Sequence, residues 1–141
     1  QAIQVRKELT DEWQDRGVQK GIEFAILTDE ITKAWSGMKT REYKKLKGLK
    51  KENLRDNMST TEIVLNMLAE VSATEISRAE QPETFEENRS VAQKGGKVAG
   101  DARKSIEDAT GKAVITSKNA AELNRVVADL IEEIADEKNE N

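Results

Sequence analysis

The chain has 141 residues, a length that suits one ordinary folding unit and not two. Charged residues make up 35% of it, aromatics 4%, and there is a single proline, the composition of a helical protein whose solvated faces are laced with ion pairs. Cysteine and histidine are both absent, which excludes disulfides, thiolate chemistry, imidazole catalysis and nearly all zinc sites.

Residues Ile3 to Arg16 read as a first helix with Ile3, Leu9 and Trp13 as its apolar positions, ending near Gly17. A second helix is predicted from Gly21 to Gly37, with Ile22, Ile26, Ile31, Ala34 and Trp35 on one buried side; Thr28 or Asp29 could cap a break within it. Its longest apolar run, Phe24 to Leu27, falls far below the ~18 residues that span a bilayer. No signal peptide is visible, so the expectation is a soluble, cytoplasmic protein with no membrane contact. Thr40 opens a short basic helix to about Lys47. Ser59 then begins "STTE", the capping-box spacing in which a hydroxyl and Glu62 can each satisfy a first-turn amide. After it, Ile63, Val64, Met67, Leu68 and Val71 are expected on the buried face.

Pro82 fits the first turn of a further helix, with Glu83, Glu86 and Glu87 at the positive end of its dipole. That helix is predicted to run through "AQKGGKVAGDARK" (92–104) to about Ala109, with Gly111 beyond its end. "KAVIT" is a short apolar bridge that could be extended. Asn119 is predicted to cap a final helix whose Leu123, Val126, Val127, Leu130, Ile131 and Ile134 follow a three-four spacing. The fold class expected is all-α: a multi-helix bundle of about five to six helices, with a long glycine-containing helix and an amphipathic C-terminal one. Leu123, Val127, Leu130 and Ile134 are the candidate homodimer seam.

Several patterns that carry chemistry can be tested against these elements. Gly96-Lys97 is followed by Val98, and Val91 stands where a P-loop needs its first glycine, so the phosphate-cradling motif fails at both ends. Ala92, Gly96, Ala99 and Gly100 instead have helical spacing on one face, where small residues let a second backbone approach. Lys94, Lys97, Arg103 and Lys104 flank them. "MLAEVSATEISRA" has the look of a helix-turn-helix, but Asn66 and Glu70 stand where a small residue and a glycine are required. Glu132, Glu133, Asp136 and Glu137 lack the spacing of a calcium loop. Lys104 and Ser105, adjacent on a helix, point about 100 degrees apart and do not make a dyad. No catalytic set, metal site or cofactor is expected, and the chain reads as a non-enzyme.

Charge is distributed unevenly. From Lys33 to Arg55 nine cations stand against Glu42 and Glu52, a segment charge of +7; with a total of −4, the remainder carries −11. Lys44, Lys45, Lys47, Lys50, Lys51 and Arg55 are the candidate contacts to DNA or an acidic partner.

Three stretches, "EFAILTDEI" (23–31), "LKGLKKENLRDNMSTTEIVLNMLAEVSATEISR" (46–78) and "AQKGGKVAGDARKSIEDATGKAVITSKN" (92–119), closely resemble the C-terminal region of the DNA-damage-inducible protein D (DinD) family, also found in relatives described as phage antirepressors. The resemblance covers about residues 5 to 120. It implies a single helical domain over 1–141, the C-terminal part of a longer protein whose BRO-type N-terminal domain is absent, which agrees with the start at Gln1. It further implies a bacterial SOS-response role: modulation of RecA-type filaments on single-stranded DNA, with a RecA-like protein or the DNA as partner. A phage-antirepressor-type module that binds a repressor protein is the alternative. Family members often have histidine where this chain has Asn57, so no histidine-dependent role carries over.

Overall fold

Helix boundaries are set by groups that satisfy the terminal amides and carbonyls. In the computed structural model, which describes residues 2–117 and 130–135, the elements are α1 (Ala2–Asp15), α2 (Ile22–Ser36), α3 (Thr40–Leu46), a 3-10 turn (Arg55–Asn57), α4 (Thr60–Glu80) and α5 (Phe85–Thr110). Residues 130–135 are helical too, and the described residues contain no strand. The protein is an all-α, multi-helix bundle. α2 runs unbroken through Thr28, whose hydroxyl donates to the Phe24 carbonyl at 2.7 Å and so serves no cap. It stops at Gly37, whose φ of 83° closes the last turn by an N–H bond to the Lys33 carbonyl at 2.9 Å.

α4 begins at Ser59, whose Oγ accepts the Glu62 N–H at 3.2 Å. Only this half of the expected capping box forms, because the Glu62 carboxylate is used elsewhere. α5 starts later than its proline suggested. Thr84 is the N-cap, accepting the Glu87 N–H at 3.1 Å, while the Glu87 carboxylate accepts from the Glu83 N–H at 3.0 Å. Pro82 therefore lies ahead of the helix. Val114 and Ile115 of the apolar bridge pack against the core without forming a strand.

Cross-helix pairs fix the directions. Arg6 reaches Glu70 and Glu12 reaches Ser77, so α1 runs parallel to α4. Glu30 meets Arg89 and the Trp35 carbonyl meets Arg103, so α2 runs parallel to α5. α4 and α5 form an antiparallel pair joined by residues 81–84. The most extensive contacts are those of α5 with α4 and with α2, followed by α1 on α4. Leu9, Trp13, Leu27, Ile31, Trp35, Leu65, Ala69 and Ala73 fill the interior.

The small residues of α5 explain how close these helices come. A methyl placed on Gly96 would stand 2.5 Å from Ala34 Cβ and 2.7 Å from the Ile31 carbonyl oxygen; on Gly100 it would stand 2.7 Å from the Ala34 carbonyl oxygen. Gly95 serves the other side, 2.6 Å from the Ala73 backbone by the same measure. Ala92 and Ala99 are fully buried beside them. Glycine costs ~1 kcal/mol per helical site relative to alanine, and here that cost purchases two close helix approaches at once.

On α4 the buried face differs from the expected one. Val64 and Val71 are exposed, and Ile63, Met67 and Leu68 are half-buried. The interior face is Leu65, Ala69 and Ala73 together with Glu62, Asn66, Glu70, Thr74 and Ser77. Two constraints turn the helix: α5 can approach only small side chains, and both carboxylates find cationic partners inside. Ile3 and Ile22, expected in the core, are 84% and 79% exposed; Leu27, one position beyond Ile26, takes the interior place instead.

The predicted start of the last helix at Asn119, and Leu123 and Val127 of its seam, lie outside the described residues. Leu130 and Ile134 of the same seam are exposed.

Candidate binding site

The basic segment begins at the end of α2 and continues through α3 and the loop to the 3-10 turn. Its charges do not all face the same way. Lys47 is 1% exposed, and its ammonium donates to Glu62 Oε1 at 2.7 Å. The Tyr43 hydroxyl donates to the other oxygen of the same carboxylate. Burial, and after it the bond to the Glu62 carboxylate and that group's charge, push the Tyr43 phenol far above its ordinary value, so it remains a donor. Lys47 was expected among the surface contacts; its position inside the protein removes it from that set, because a paired, desolvated ammonium has no route to an external phosphate.

Arg55 is also turned inward. Its guanidinium pairs with Glu70, which is 2% exposed and also accepts from Arg6 at 3.1 Å and from Asn66 Nδ2 at 3.2 Å. Asn66 in turn accepts from Trp35 Nε1 at 3.2 Å. Arg6 lies over the Trp13 ring, 5.3 Å from its centroid, and donates to Thr28 Oγ1 at 2.6 Å. This network joins α1, α2, α4 and the loop around one carboxylate.

Lys45, Lys50 and Lys51 are exposed and Lys44 is half-buried. Among the described residues, none of these four forms a salt bridge. Glu52 stands in their midst, its carboxylate held below the usual range first by the Lys50 N–H at 2.7 Å and, more weakly, by the charges of Lys50 and Lys44. The two aromatic side chains of the segment, Trp35 and Tyr43, are buried against each other at 5.9 Å between centroids. They are not available for stacking on bases.

Behind α3 lies an open cavity of about 370 Å³. Arg6, Lys44, Arg55 and Glu70 bring charge to its wall, Thr28, Thr32, Thr40, Asn53 and Asn66 bring polar atoms, and Ile31, Leu54 and Met58 form the apolar part. Sequence reasoning missed Arg6, Thr40 and Glu70 as members of any site. The available signal was the recurrence of Glu62, Asn66, Glu70 and Thr74 at four-residue intervals beside Ala69 and Ala73, a polar stripe that a solvated face does not need.

Ala92, Gly96, Ala99 and Gly100 sit at the α5 packing faces described above and do not line this cavity, although Gly96 packs on Ile31 of its wall. Of the cations flanking them, Lys94 pairs with Glu80, Lys97 with Asp101, and Arg103 with Glu107. Among the described residues no group of acidic side chains is placed to hold a metal ion, and no helix is long and apolar enough to cross a membrane.

No match was found among curated proteins or among solved structures. The family model for the DinD C-terminal domain matches residues 1–130. With that match extending from α1 through the loop, the α4–α5 pair and into the last helix, the chain belongs to the DinD C-terminal domain family, that of the DNA-damage-inducible protein D.

Proposed function

We propose that this is a non-catalytic interaction domain that acts on RecA-type filaments on single-stranded DNA in the bacterial response to DNA damage. One observation carries the reading. Lys39, Arg41, Lys44, Lys45, Lys50 and Lys51, close together in sequence, form no salt bridge among the described residues, whereas on the long helices Lys7, Arg78, Lys94, Lys97 and Arg103 are each held by a carboxylate and Lys33 and Lys104 are not. A surface of unneutralised cations on an otherwise acidic body fits an external polyanion, and family membership supplies the DNA-damage context. With Trp35 and Tyr43 buried, the contact is to phosphates or to acidic protein side chains and not to base faces.

The test is fluorescence anisotropy of labelled single-stranded DNA, with and without RecA and ATP, at two salt concentrations. Lys45→Gln/Lys50→Gln/Lys51→Gln should weaken the response, most at the lower salt, while leaving the melting temperature unchanged, since none of the three supports the interior. A response confined to the filament would make the protein the contact; one on DNA alone would make it phosphate. Silence in both, or capture of a repressor with indifference to nucleic acid, would overturn the reading.

A further inference from the structure

The cavity behind α3 is built differently from the open lysine surface beside it. Its charged lining residues are Arg6, Lys44 and Arg55 against Glu70, and the Asp29 carboxylate stands beside the wall, accepting the Thr40 N–H at 3.2 Å, which leaves an excess of one positive charge. The guanidinium of Arg6 is pre-positioned by Trp13, Thr28 and Glu70. A guanidinium has five N–H donors, and Arg6's bonds to Glu70 and Thr28 occupy only two of them. Thr40 Oγ1 is buried on the same wall and has no hydrogen-bond partner in the protein. Buried hydroxyls are ordinarily satisfied, so this one marks a place where a ligand oxygen would complete the wall.

We infer that this cavity binds a phosphomonoester of about mononucleotide size, its phosphate at Arg6, Lys44 and Thr40 and its body against Leu54 and Met58. A monoester presents three terminal oxygens to the donors of Arg6, Lys44 and Thr40, where a diester presents two. The volume stands at the lower end of the range for small-ligand sites, ~300–1,000 Å³, enough for a phosphate with a compact body and too little for an oligonucleotide. The site does not depend on the filament reading, because it is formed by groups from four helices and the 3-10 turn. Free mononucleotide and the 5′-phosphorylated end of a single strand both present this chemistry.

Calorimetric titration of the 141-residue chain with thymidine 5′-monophosphate, inorganic phosphate and thymidine tests the inference. The monophosphate should bind saturably and thymidine at least roughly tenfold more weakly, since hydrogen bonds to a charged group carry the recognition. Lys44→Gln, and the isosteric Thr40→Val, should each weaken the monophosphate by roughly three- to tenfold, while Lys97→Gln, on α5 outside the cavity and outside the basic surface, should change it less than about twofold. Comparing 5′-phosphorylated with 5′-hydroxyl oligothymidylate separates the two sources: a preference for the phosphorylated end assigns the strand terminus, and equal weak binding assigns the free nucleotide. Absence of saturable binding by any monoester, thymidine binding as well as its monophosphate, or equal loss on Lys97→Gln would each overturn it. None of these outcomes depends on RecA, so this site and the filament contact can fail separately.

Discussion

Lys47 and Glu62 are charged groups withdrawn from water, and each is tolerable there only because the other is present. Lys47→Met should therefore cost about 3–5 kcal/mol, read by urea denaturation, because it strands a buried carboxylate. Glu62→Gln in the same background should restore part of that loss by removing the charge. Tyr43 adds a pH signature. Its folded-state value lies above the ordinary 10.0, so the stability tied to the protonated phenol is fully present below that value and is lost as the pH rises beyond it. Tyr43→Phe should lower stability near neutrality and flatten its decline between roughly pH 9 and 11 relative to the parent.

At the level of the helices, α5 offers the sharpest test. Exchanging glycine for alanine inside a helix ordinarily stabilises it by ~1 kcal/mol. At Gly96 the new methyl would meet Ala34 and the Ile31 backbone at 2.5 and 2.7 Å, so Gly96→Ala should instead destabilise by ~1–3 kcal/mol. A raised melting temperature would mean that α2 withdraws freely. This interface could be read in the sequence because glycines at helical spacing have few other uses. The interior face of α4 could not. Apolar periodicity favoured Val64 and Val71, but close approach selects for small volume and buried ion pairs select for complementary charge, and neither registers as hydrophobicity. Ile3 and Ile22 misled for a related reason: near helix starts, apolar character alone does not decide which side faces inward.

For the whole molecule, charge is the property most visible in sequence and least informative about direction. The +7 segment was legible as a density; that Lys47 and Arg55 point inward was not, because their partners Glu62 and Glu70 lie on a different helix. The cavity behind α3 was invisible for the same reason, its walls being drawn from positions as far apart as Arg6 and Glu70. If the exposed lysines engage single-stranded DNA, removing Lys45, Lys50 and Lys51 together should reduce the slope of log affinity against log salt by about 2, at ~0.7 per phosphate contact. A slope unchanged by the triple substitution would place the binding charge elsewhere.

The loop that carries Lys50 and Lys51 is fastened at both ends to α4, by Lys47 on Glu62 and by Arg55 on Glu70. It behaves as a strap between two rivets, and the rivets are acidic. A genetic screen for alleles that lose the activity of the basic surface should therefore recover changes at Glu62 and Glu70 alongside those at the lysines. Removing negative charge from the interior would release the presentation of positive charge outside, and an observer counting surface charge alone would expect the opposite phenotype.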